Sequence, residues 1–281
     1  MRVTMATEAA PGRPANEDQV FHYQSVVGVL DGVTAPKDLE TGCEHGPAWY
    51  VRQLVTHLKA AINDSPAVPL TRLLGSAIKR VTLDHPDCDL SNPSTPAATV
   101  CLVRETEYEL EYLILCDSPL VVDRGTVTTV LADKRFERVI KRIREEALIG
   151  DVAIDSEEHA ARLRVAADRK RLLTNTPEGY WIAAAEPVAA EHAITGRLPL
   201  TGPRAVRRAA LLTDGASCAV DTFDLYSWRG LLDLITEHGP QELIRQVRHA
   251  ENADSDGYER PRYKRHDDAT VALCLFDEEN Q

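Results

Sequence analysis

The sequence predicts an α+β domain whose strands and helices are grouped in blocks. Short segments rich in valine, leucine, isoleucine and threonine follow one another without an intervening helix, and segments with apolar residues at helical spacing are grouped elsewhere in the chain. The strict alternation of strand and helix that builds a doubly wound parallel sheet is not seen. We therefore expect antiparallel sheets layered against helices.

The N-terminal part of the chain predicts two strands followed by two helices. Residues 2–7 alternate polar and apolar side chains before a loop that contains proline and glycine, and residues 25–30 form an almost wholly apolar inner strand. Apolar side chains then recur at helical spacing over residues 51–62 and again over 70–81. Pro47 suits the first position of the first helix.

The rest of the chain predicts a meander, two charged helices and a mixed C-terminal part. The meander consists of four closely spaced segments, at residues 98–104, 109–116, 119–123 and 126–131. The charged helices are expected at 134–148 and about 156–173. Strands follow at 208–213 and 269–276, with helical stretches near 231–235 and 241–247. No linker or repeat interrupts this series, so residues 1–281 are expected to form one domain.

The composition argues against nucleic-acid and membrane partners. Acidic residues outnumber basic ones by 44 to 32, which gives a formal charge of -12. No stretch approaches the ~20 apolar residues of a membrane span, and the N-terminus lacks the apolar segment of a secretory signal. The six cysteines form no C-x-x-C pair and look like small core residues, which favours a cytoplasmic location. They are Cys43, Cys88, Cys101, Cys116, Cys218 and Cys274.

The most informative feature is a series of aspartates at the ends of apolar segments. They are Asp18, Asp31, Asp117, Asp214 and Asp267. Carboxylates on rigid strand ends are the ligands that Mg²⁺ and Mn²⁺ prefer. Because like charges repel, a convergent group of aspartates requires a cation to neutralise it. Taken singly, each Asp-Gly pair is also an ordinary turn signal.

Taken in order, these motifs resemble those of the type 2C metal-dependent protein phosphatases, the PPM-type serine/threonine phosphatases. The resemblance extends from about residue 2 to residue 277, nearly the whole chain. The motifs are Arg13-Pro14-Ala15-Asn16-Glu17-Asp18, Val29-Leu30-Asp31-Gly32, Cys116-Asp117-Ser118, Leu212-Thr213-Asp214-Gly215 and Asp267-Asp268-Ala269-Thr270-Val271. The resemblance implies a four-layer α-β-β-α sandwich, in which two antiparallel sheets are flanked by helices on both faces.

The resemblance also implies a set of metal ligands for Mn²⁺ or Mg²⁺. The residues that match the ligands of the two central ions are Asp18, Asp31, Asp214 and Asp267. The Gly32 carbonyl would be a further ligand, and Glu17 would hold a metal-bound water. Asp117, with Asp214, matches the third and weaker site of bacterial members. Two ions that share an aspartate can hold a bridging hydroxide, which attacks phosphorus directly.

Two further residues are assigned catalytic roles, one of them through a departure from the family. Arg13 matches the arginine that binds substrate phosphate, a role suited to the planar guanidinium fork. The family pattern continues after its Asp-Gly pair with a glycine-rich turn and a histidine that acts as general acid, whereas Gly32 is followed here by Val33-Thr34-Ala35-Pro36. His45, just before the first helix, is the candidate substitute.

The expected function is metal-dependent hydrolysis of phosphomonoesters, with phosphoserine or phosphothreonine in proteins as substrate. The missing histidine leaves a second hypothesis open, a phosphatase-like binding or regulatory module with weak turnover. A third is a phosphatase of a small phosphorylated metabolite, for which the irregular segment between Thr174 and Pro203 would serve as a lid. The basic segment of residues 260–265 is a candidate attractor of phosphorylated substrates. The sequence does not decide the oligomeric state.

Overall fold

The computed structural model describes residues 1–34, 39–150 and 152–276. The strands in these ranges are β1 (Arg2–Glu8), β2 (Asp18–Tyr23), β3 (Val26–Gly32), β4 (Ala98–Glu105), β5 (Glu109–Leu115), β6 (Leu120–Asp123), β7 (Thr128–Leu131), β8 (Ile194–Pro199), β9 (Arg208–Leu212) and β10 (Ala269–Leu275). The helices are α1 (Gly46–Asp64), α2 (Leu70–Leu83), α3 (Lys134–Ala147), α4 (Glu157–Arg171), α5 (Asp214–Asp221), α6 (Trp228–His238) and α7 (Pro240–Ala253), with a 3₁₀ helix at Pro187–His192.

The strands form two five-stranded antiparallel sheets. The first sheet has the order β1-β10-β9-β6-β7, and the second has the order β2-β3-β4-β5-β8. Every strand pair in both sheets is antiparallel. The α+β class and the two antiparallel sheets expected from the sequence are therefore confirmed. Within the described ranges, no helix has the length and apolar character that crossing a bilayer demands.

Alternating side chains on the inner strands separate the layers. On β3, Val27 and Val29 point into the core between the sheets, whereas Val26 and Leu30 point into the core under the helices. On β10, Ala272 faces the other sheet and Val271 faces helices. The strands are apolar on both faces because each sheet is covered on both sides.

The helices cover the two outer faces. Leu54 and Leu58 of α1 share one core with Leu74 and Ile78 of α2, against the second sheet. α5, α6 and α7 pack against the first sheet, around residues such as Leu232. The result is the four-layer α-β-β-α sandwich that the resemblance implied. α3 and α4 form a separate smaller cluster, and its buried members include Ile140, Ala166 and Ile182.

The structure corrects several of the predicted elements. β2, β8 and α5 were missed, and the predicted meander is divided, since β4 and β5 lie in one sheet while β6 and β7 lie in the other. The chain changes sheet at Cys116, whose φ of 68° breaks the extended backbone. The segment 174–203 contains a 3₁₀ helix that packs near α2 and the edge strand β8, which pairs with β5. It therefore belongs to the sandwich and does not form a lid.

A buried arginine joins the second sheet to the start of α2. Arg104 on β4 donates from Nε to Glu111 Oε2 on β5 at 2.7 Å, and its Nη2 contacts the same oxygen. Its Nη1 donates to the carbonyl oxygens of Pro66 and Val68, both at 2.7 Å. Since Arg104 is only 7% exposed, these acceptors have little access to water that could replace it.

We expect Arg104→Ala to lower the free energy of unfolding by about 3 kcal/mol, because it removes the buried donor to Glu111 Oε2 and to two carbonyl oxygens. Arg197→Ala is the matched control, since Arg197 contacts the same Glu111 at 3.0 Å but is 65% exposed. That control should change stability by less than about 1 kcal/mol. Urea unfolding of both variants measures the difference, and equal losses would contradict the argument.

Candidate metal centre

The two strands β2 and β3 place Asp18 and Asp31 side by side. They are register partners in an antiparallel pair, so their side chains emerge on the same face of the sheet. Asp18 is 1% exposed; its Oδ2 accepts a hydrogen bond from Thr213 Oγ1 at 2.8 Å. Its Oδ1 is buried and has no hydrogen-bond partner. A buried carboxylate oxygen without a donor is costly, so this atom points to a ligand.

The first sheet supplies Asp214 and Asp267 to the same place. Asp214 begins α5 just after β9, and Asp267 lies two residues before β10. Two threonines between them connect the strands, since the Thr213 amide donates to the Thr270 carbonyl at 3.1 Å and the Thr270 amide donates to Thr213 Oγ1 at 3.0 Å. The structure thus brings together the aspartate cluster, defined as Asp18, Asp31, Asp214 and Asp267.

The two glycines that follow aspartates are needed for close packing. A Cβ on Gly32 would lie 2.6 Å from the Glu17 carbonyl oxygen, which accepts the Gly32 amide hydrogen bond at 3.0 Å. A Cβ on Gly215 would lie 2.0 Å from the Asp268 carbonyl oxygen. Gly32 ends a strand and Gly215 lies in the first turn of a helix, so neither Asp-Gly pair is a simple turn.

The aspartates of the cluster act on one another electrostatically. Burial raises the pKa of Asp18 and of Asp31 well above the ordinary value, and the neighbouring carboxylates raise both further. Asp214 is exposed as a residue, yet desolvation by the surrounding protein and the charges of Asp267 and Asp117 raise its pKa to about 6. Without a cation, the cluster therefore favours protonated carboxyls.

Lys264 supplies a positive charge inside the aspartate cluster. Its Nζ donates to Asp267 Oδ1 at 2.7 Å and to Thr34 Oγ1 at 3.1 Å. Burial opposes the charged form, but the charges of Asp267 and Asp214 outweigh it and raise the pKa of Lys264. One ammonium cannot neutralise four carboxylates, so a need for further positive charge remains.

Arg13 lies beside this cluster and is held by Glu17. Its Nη1 donates to Glu17 Oε2 at 2.8 Å and to Thr34 Oγ1 at 3.0 Å, and the Thr34 hydroxyl also donates to Glu17 Oε2. Thr34 contacts both Arg13 and Lys264, so it links the two cations. The Arg13 side chain is 26% exposed, so an anion from solvent can reach it.

Asp268 positions the loop that carries Arg13 and Glu17. Its Oδ1 accepts the Ala10 amide and its Oδ2 accepts the Glu17 amide, both at 2.6 Å. Asp268 is 3% exposed and points away from the aspartate cluster into this loop. Asp268 therefore fixes the position of this loop through two hydrogen bonds.

Asp117 lies on the side of the cluster that faces α3 and α4. Burial raises its pKa, while a hydrogen bond from the Cys116 thiol and the charges of Lys170 and Arg144 oppose that shift. Burial in turn lowers the pKa of Lys170 to about 8. Because its charge acts on Asp214, Asp117 belongs to the same acidic region, where the resemblance places a third and weaker ion.

The aspartate cluster fits hard divalent cations. Its donors are carboxylate oxygens on strand ends, and Asp18 Oδ1 is a buried acceptor without a donor. Among the described residues, the compact group of potential metal ligands is a separate set of cysteines and histidines, whose ligand atoms lie within 4.8 Å of one another. The assignment of individual ligands, including Glu17 and the Gly32 carbonyl, stays a prediction.

His45 lies in surroundings that the sequence did not suggest. Its Nδ1 is 3.5 Å from the sulfurs of both Cys43 and Cys88, and its ring lies 4.3 Å from that of Trp49. The expectation that all cysteines are core residues is therefore wrong for Cys43 and Cys88, although Cys101, Cys116 and Cys274 are buried. The general-acid role of His45 stays a prediction.

The sequence reasoning missed Lys264, Thr34 and Asp268 as members of the site. Lys264 belongs to the basic segment 260–265, whose side chains have different partners. Arg262, for example, is buried and donates to Asp254 Oδ2 at 2.9 Å, so it stabilises the fold and is not free to bind substrate. The position of Lys264, three residues before Asp267, was the available signal.

Comparison with known proteins finds likeness in structure without likeness in sequence. No protein-family model and no curated protein sequence matches the chain. The PPM Ser-Thr phosphatase MsPP from Mycobacterium smegmatis, in complex with cacodylate, is 17% identical, with a TM-score of 0.56 over 99% of both chains. Serine/threonine phosphatase Stp1 from Staphylococcus aureus is 12% identical, with a TM-score of 0.58 over 99% of this chain and 95% of that one.

A third structure of the same kind includes metal ions. The catalytic domain of the serine threonine protein phosphatase PstP, in complex with two manganese ions, is 15% identical, with a TM-score of 0.53 over 98% of both chains. In each comparison the match covers nearly the full length, so it includes both sheets and the outer helices. The chain has the fold of the PPM-type serine/threonine phosphatases.

Proposed function

We propose that the protein is a metal-dependent phosphomonoester hydrolase acting on phosphoserine or phosphothreonine in proteins, built as one domain over residues 1–281. The observation that carries the proposal is the aspartate cluster, in which Asp18 has a buried oxygen without a donor and Arg13 lies alongside. The fold is shared with enzymes that are named as serine/threonine phosphatases, one of them containing two manganese ions. That likeness supports the proposal.

In this proposal the acidic residues hold the cations. Asp18, Asp31, Asp214 and Asp267 would bind two Mn²⁺ or Mg²⁺ ions, and Asp117 with Asp214 would bind a third, weaker ion. When bound, such ions neutralise the carboxylates, supply a nucleophilic water at neutral pH and offset charge on the phosphoryl oxygens. Divalent ions also relieve the repulsion that otherwise keeps these carboxyls protonated.

The cationic side chains would bind and orient the phosphate. Arg13 presents a planar fork that can donate to two phosphoryl oxygens, and Glu17 and Thr34 hold it in place. Lys264 adds a positive charge on the other side of Thr34. Groups fixed in advance around the phosphate stabilise developing charge without reorganisation in the transition state.

The alternatives from the sequence have less support. A metabolite phosphatase was suggested by a lid over 174–203, but residues of that segment are part of the second sheet and its helical layer. The missing histidine suggests a non-catalytic module, whereas the convergence of Asp18, Asp31, Asp214 and Asp267 favours an enzyme. The absence of nucleic-acid and membrane partners, and a cytoplasmic location, stay predictions of the composition.

We expect Asp214→Asn to lower kcat/KM for a phosphoserine peptide with Mn²⁺ by at least about 100-fold, because even changes behind metal ligands cost about 10–100-fold. Asp64→Asn is the control, since Asp64 is exposed at the end of α1. A phosphorylated sugar at the same concentration tests the substrate class, and it should be hydrolysed more slowly than the phosphoserine peptide. Full activity of Asp214→Asn, or equal activity without divalent ions, would contradict the proposal.

We expect Arg13→Lys to lower kcat/KM for the same peptide by about 10–100-fold, since a charged hydrogen bond contributes about 1.5–3 kcal/mol. An ammonium keeps the charge but loses the fork, so the loss tests bidentate binding. Mn²⁺ affinity, measured by calorimetry, should change little. Activity within twofold of the wild type would show that Arg13 does not hold the phosphate.

We expect protein freed of Mn²⁺ and Mg²⁺ by gel filtration to lose stability as the pH rises from about 4 through 6. Asp214 has a folded pKa of about 6 against an ordinary 3.8, so the folded state binds more protons in that range and deprotonation favours unfolding. Thermal unfolding at pH 5 and pH 7.5 measures this loss. Added Mn²⁺ should restore the lost stability at pH 7.5 but not change it at pH 5. Asp214→Asn should reduce the loss of stability. An unfolding midpoint that does not change with pH would be inconsistent with repulsion among the carboxylates.

A further inference from the structure

Four cysteine and histidine side chains meet at a point between two loops. Cys43 and His45 lie in the segment that leads to α1, and His85 and Cys88 follow α2. One potential ligand atom from each lies within 4.8 Å of all the others, which is the only such group found among the described residues. We call these four residues the cysteine–histidine cluster. Its C-x-H and H-x-x-C spacings differ from the C-x-x-C pairs on which the common zinc motifs are built.

Two distances within the cluster match those of a tetrahedral zinc site. His45 Nδ1 lies 3.5 Å from Cys43 Sγ and 3.5 Å from Cys88 Sγ. Zinc bonds of about 2.3 Å to sulfur and about 2.0–2.1 Å to nitrogen, at tetrahedral angles, place sulfur and nitrogen about 3.5 Å apart. These two pairs of atoms are therefore already at the spacing that one ion requires, and all four ligand atoms lie within 4.8 Å of one another. Both cysteines are free, so they do not form a disulfide.

His85 has the hydrogen bonding of a metal ligand. Its Nδ1 lies 2.9 Å from the Val81 carbonyl oxygen, which can only accept, so Nδ1 carries the proton. Its Nε2 is then a lone-pair nitrogen; it is buried and has no partner, in a side chain that is 4% exposed. Ligating histidines commonly donate their second nitrogen to a backbone carbonyl in this way. This unpartnered nitrogen is an observation independent of the clustering.

The surrounding backbone holds the two loops together. The Asp89 amide donates to the Gly42 carbonyl at 2.8 Å, and Asn92 Nδ2 donates to the Glu40 carbonyl at 3.0 Å. The His45 amide points to Cys43 Sγ at 3.4 Å, a contact that stabilises a thiolate. The Trp49 ring packs against the imidazoles of both histidines, at 4.3 and 4.5 Å, and shields one side of the cluster.

We propose that Cys43, His45, His85 and Cys88 bind one structural Zn²⁺ ion. Four protein ligands complete a tetrahedron and leave no position for substrate, which is the pattern of a structural site. Thiolate and imidazole donors select zinc over Mg²⁺ and Mn²⁺, which prefer the oxygen donors of the aspartate cluster. On binding, each cysteine releases its thiol proton to solvent and forms a bond from sulfur to zinc.

The zinc site would fix the start of α1 beside the candidate metal centre. Pro47 follows the cluster by two residues, and its Cβ lies 3.1 Å from where a Cβ on Gly32 would be. A crosslink between this loop and the end of α2 would therefore hold the chain that leaves Asp31 and Gly32. It also gives His45 a role as a ligand in place of general acid.

The test is the metal content of full-length protein expressed with zinc and purified without chelator. Elemental analysis should find one zinc per chain in the wild type and less than about one tenth of that in Cys88→Ser. Cys218→Ser is the matched control because Cys218 is half-buried outside the cluster, and it should keep its zinc. Asp214→Asn should also keep its zinc, so the zinc proposal can fail or succeed independently of the proposed phosphatase function.

Cobalt spectroscopy covers the case in which a variant folds poorly. Co²⁺ added to zinc-depleted wild type should give the visible bands of a tetrahedral ion and a sulfur-to-cobalt charge-transfer band, and His45→Asn should weaken both. Removing zinc should lower the wild-type unfolding midpoint by roughly 5 °C or more and leave Cys88→Ser unchanged. A wild type without zinc or cobalt bands, or zinc retained in Cys88→Ser, would overturn the proposal.

Discussion

Repulsion among carboxylates at one end of the two sheets is the constraint on which the candidate metal centre depends. Asp18 and Asp31 are register partners, and Asp214 and Asp267 act on both of them. One lysine, Lys264, lies among them. Apolar cores between and outside the sheets hold the strands in place, so the carboxylates cannot separate to reduce the repulsion. Protons or cations must reduce it, and at neutral pH divalent cations do so most effectively.

Small residues and backbone contacts make this arrangement compatible with a packed fold. Thr213 satisfies one oxygen of Asp18 while it connects β9 to β10, so the same side chain serves both the sheet and the site. Gly32 and Gly215 allow neighbouring backbone to approach closer than any Cβ would permit. The residues of these motifs therefore meet packing requirements as well as chemical ones.

The sequence predicted the aspartates because each follows or precedes an apolar segment, a pattern visible without three-dimensional information. The family resemblance chose Asp267 over Asp268; the apolar pattern alone could not, because which of two adjacent carboxylates faces the cluster depends on the chain path before β10. β8 was missed because its glycine and proline are unusual in strands, and an edge position tolerates them. Cys43 and Cys88 were misjudged since their neighbours come from distant segments and only folding brings them together.

The two candidate metal sites differ in donor chemistry, and this difference would let one chain hold both kinds of ion without exchange. Oxygen donors at the aspartate cluster favour hard ions that keep water ligands, whereas sulfur and nitrogen donors near α1 favour zinc. Residues 39–45, which lead into α1, include few apolar side chains, so hydrophobic burial offsets little of their ordering entropy. A crosslink to the end of α2 supplies that constraint directly, since it ties the segment to a helix already fixed in the core. The proposed zinc site would thereby keep the backbone at Gly32 in position for the aspartate cluster.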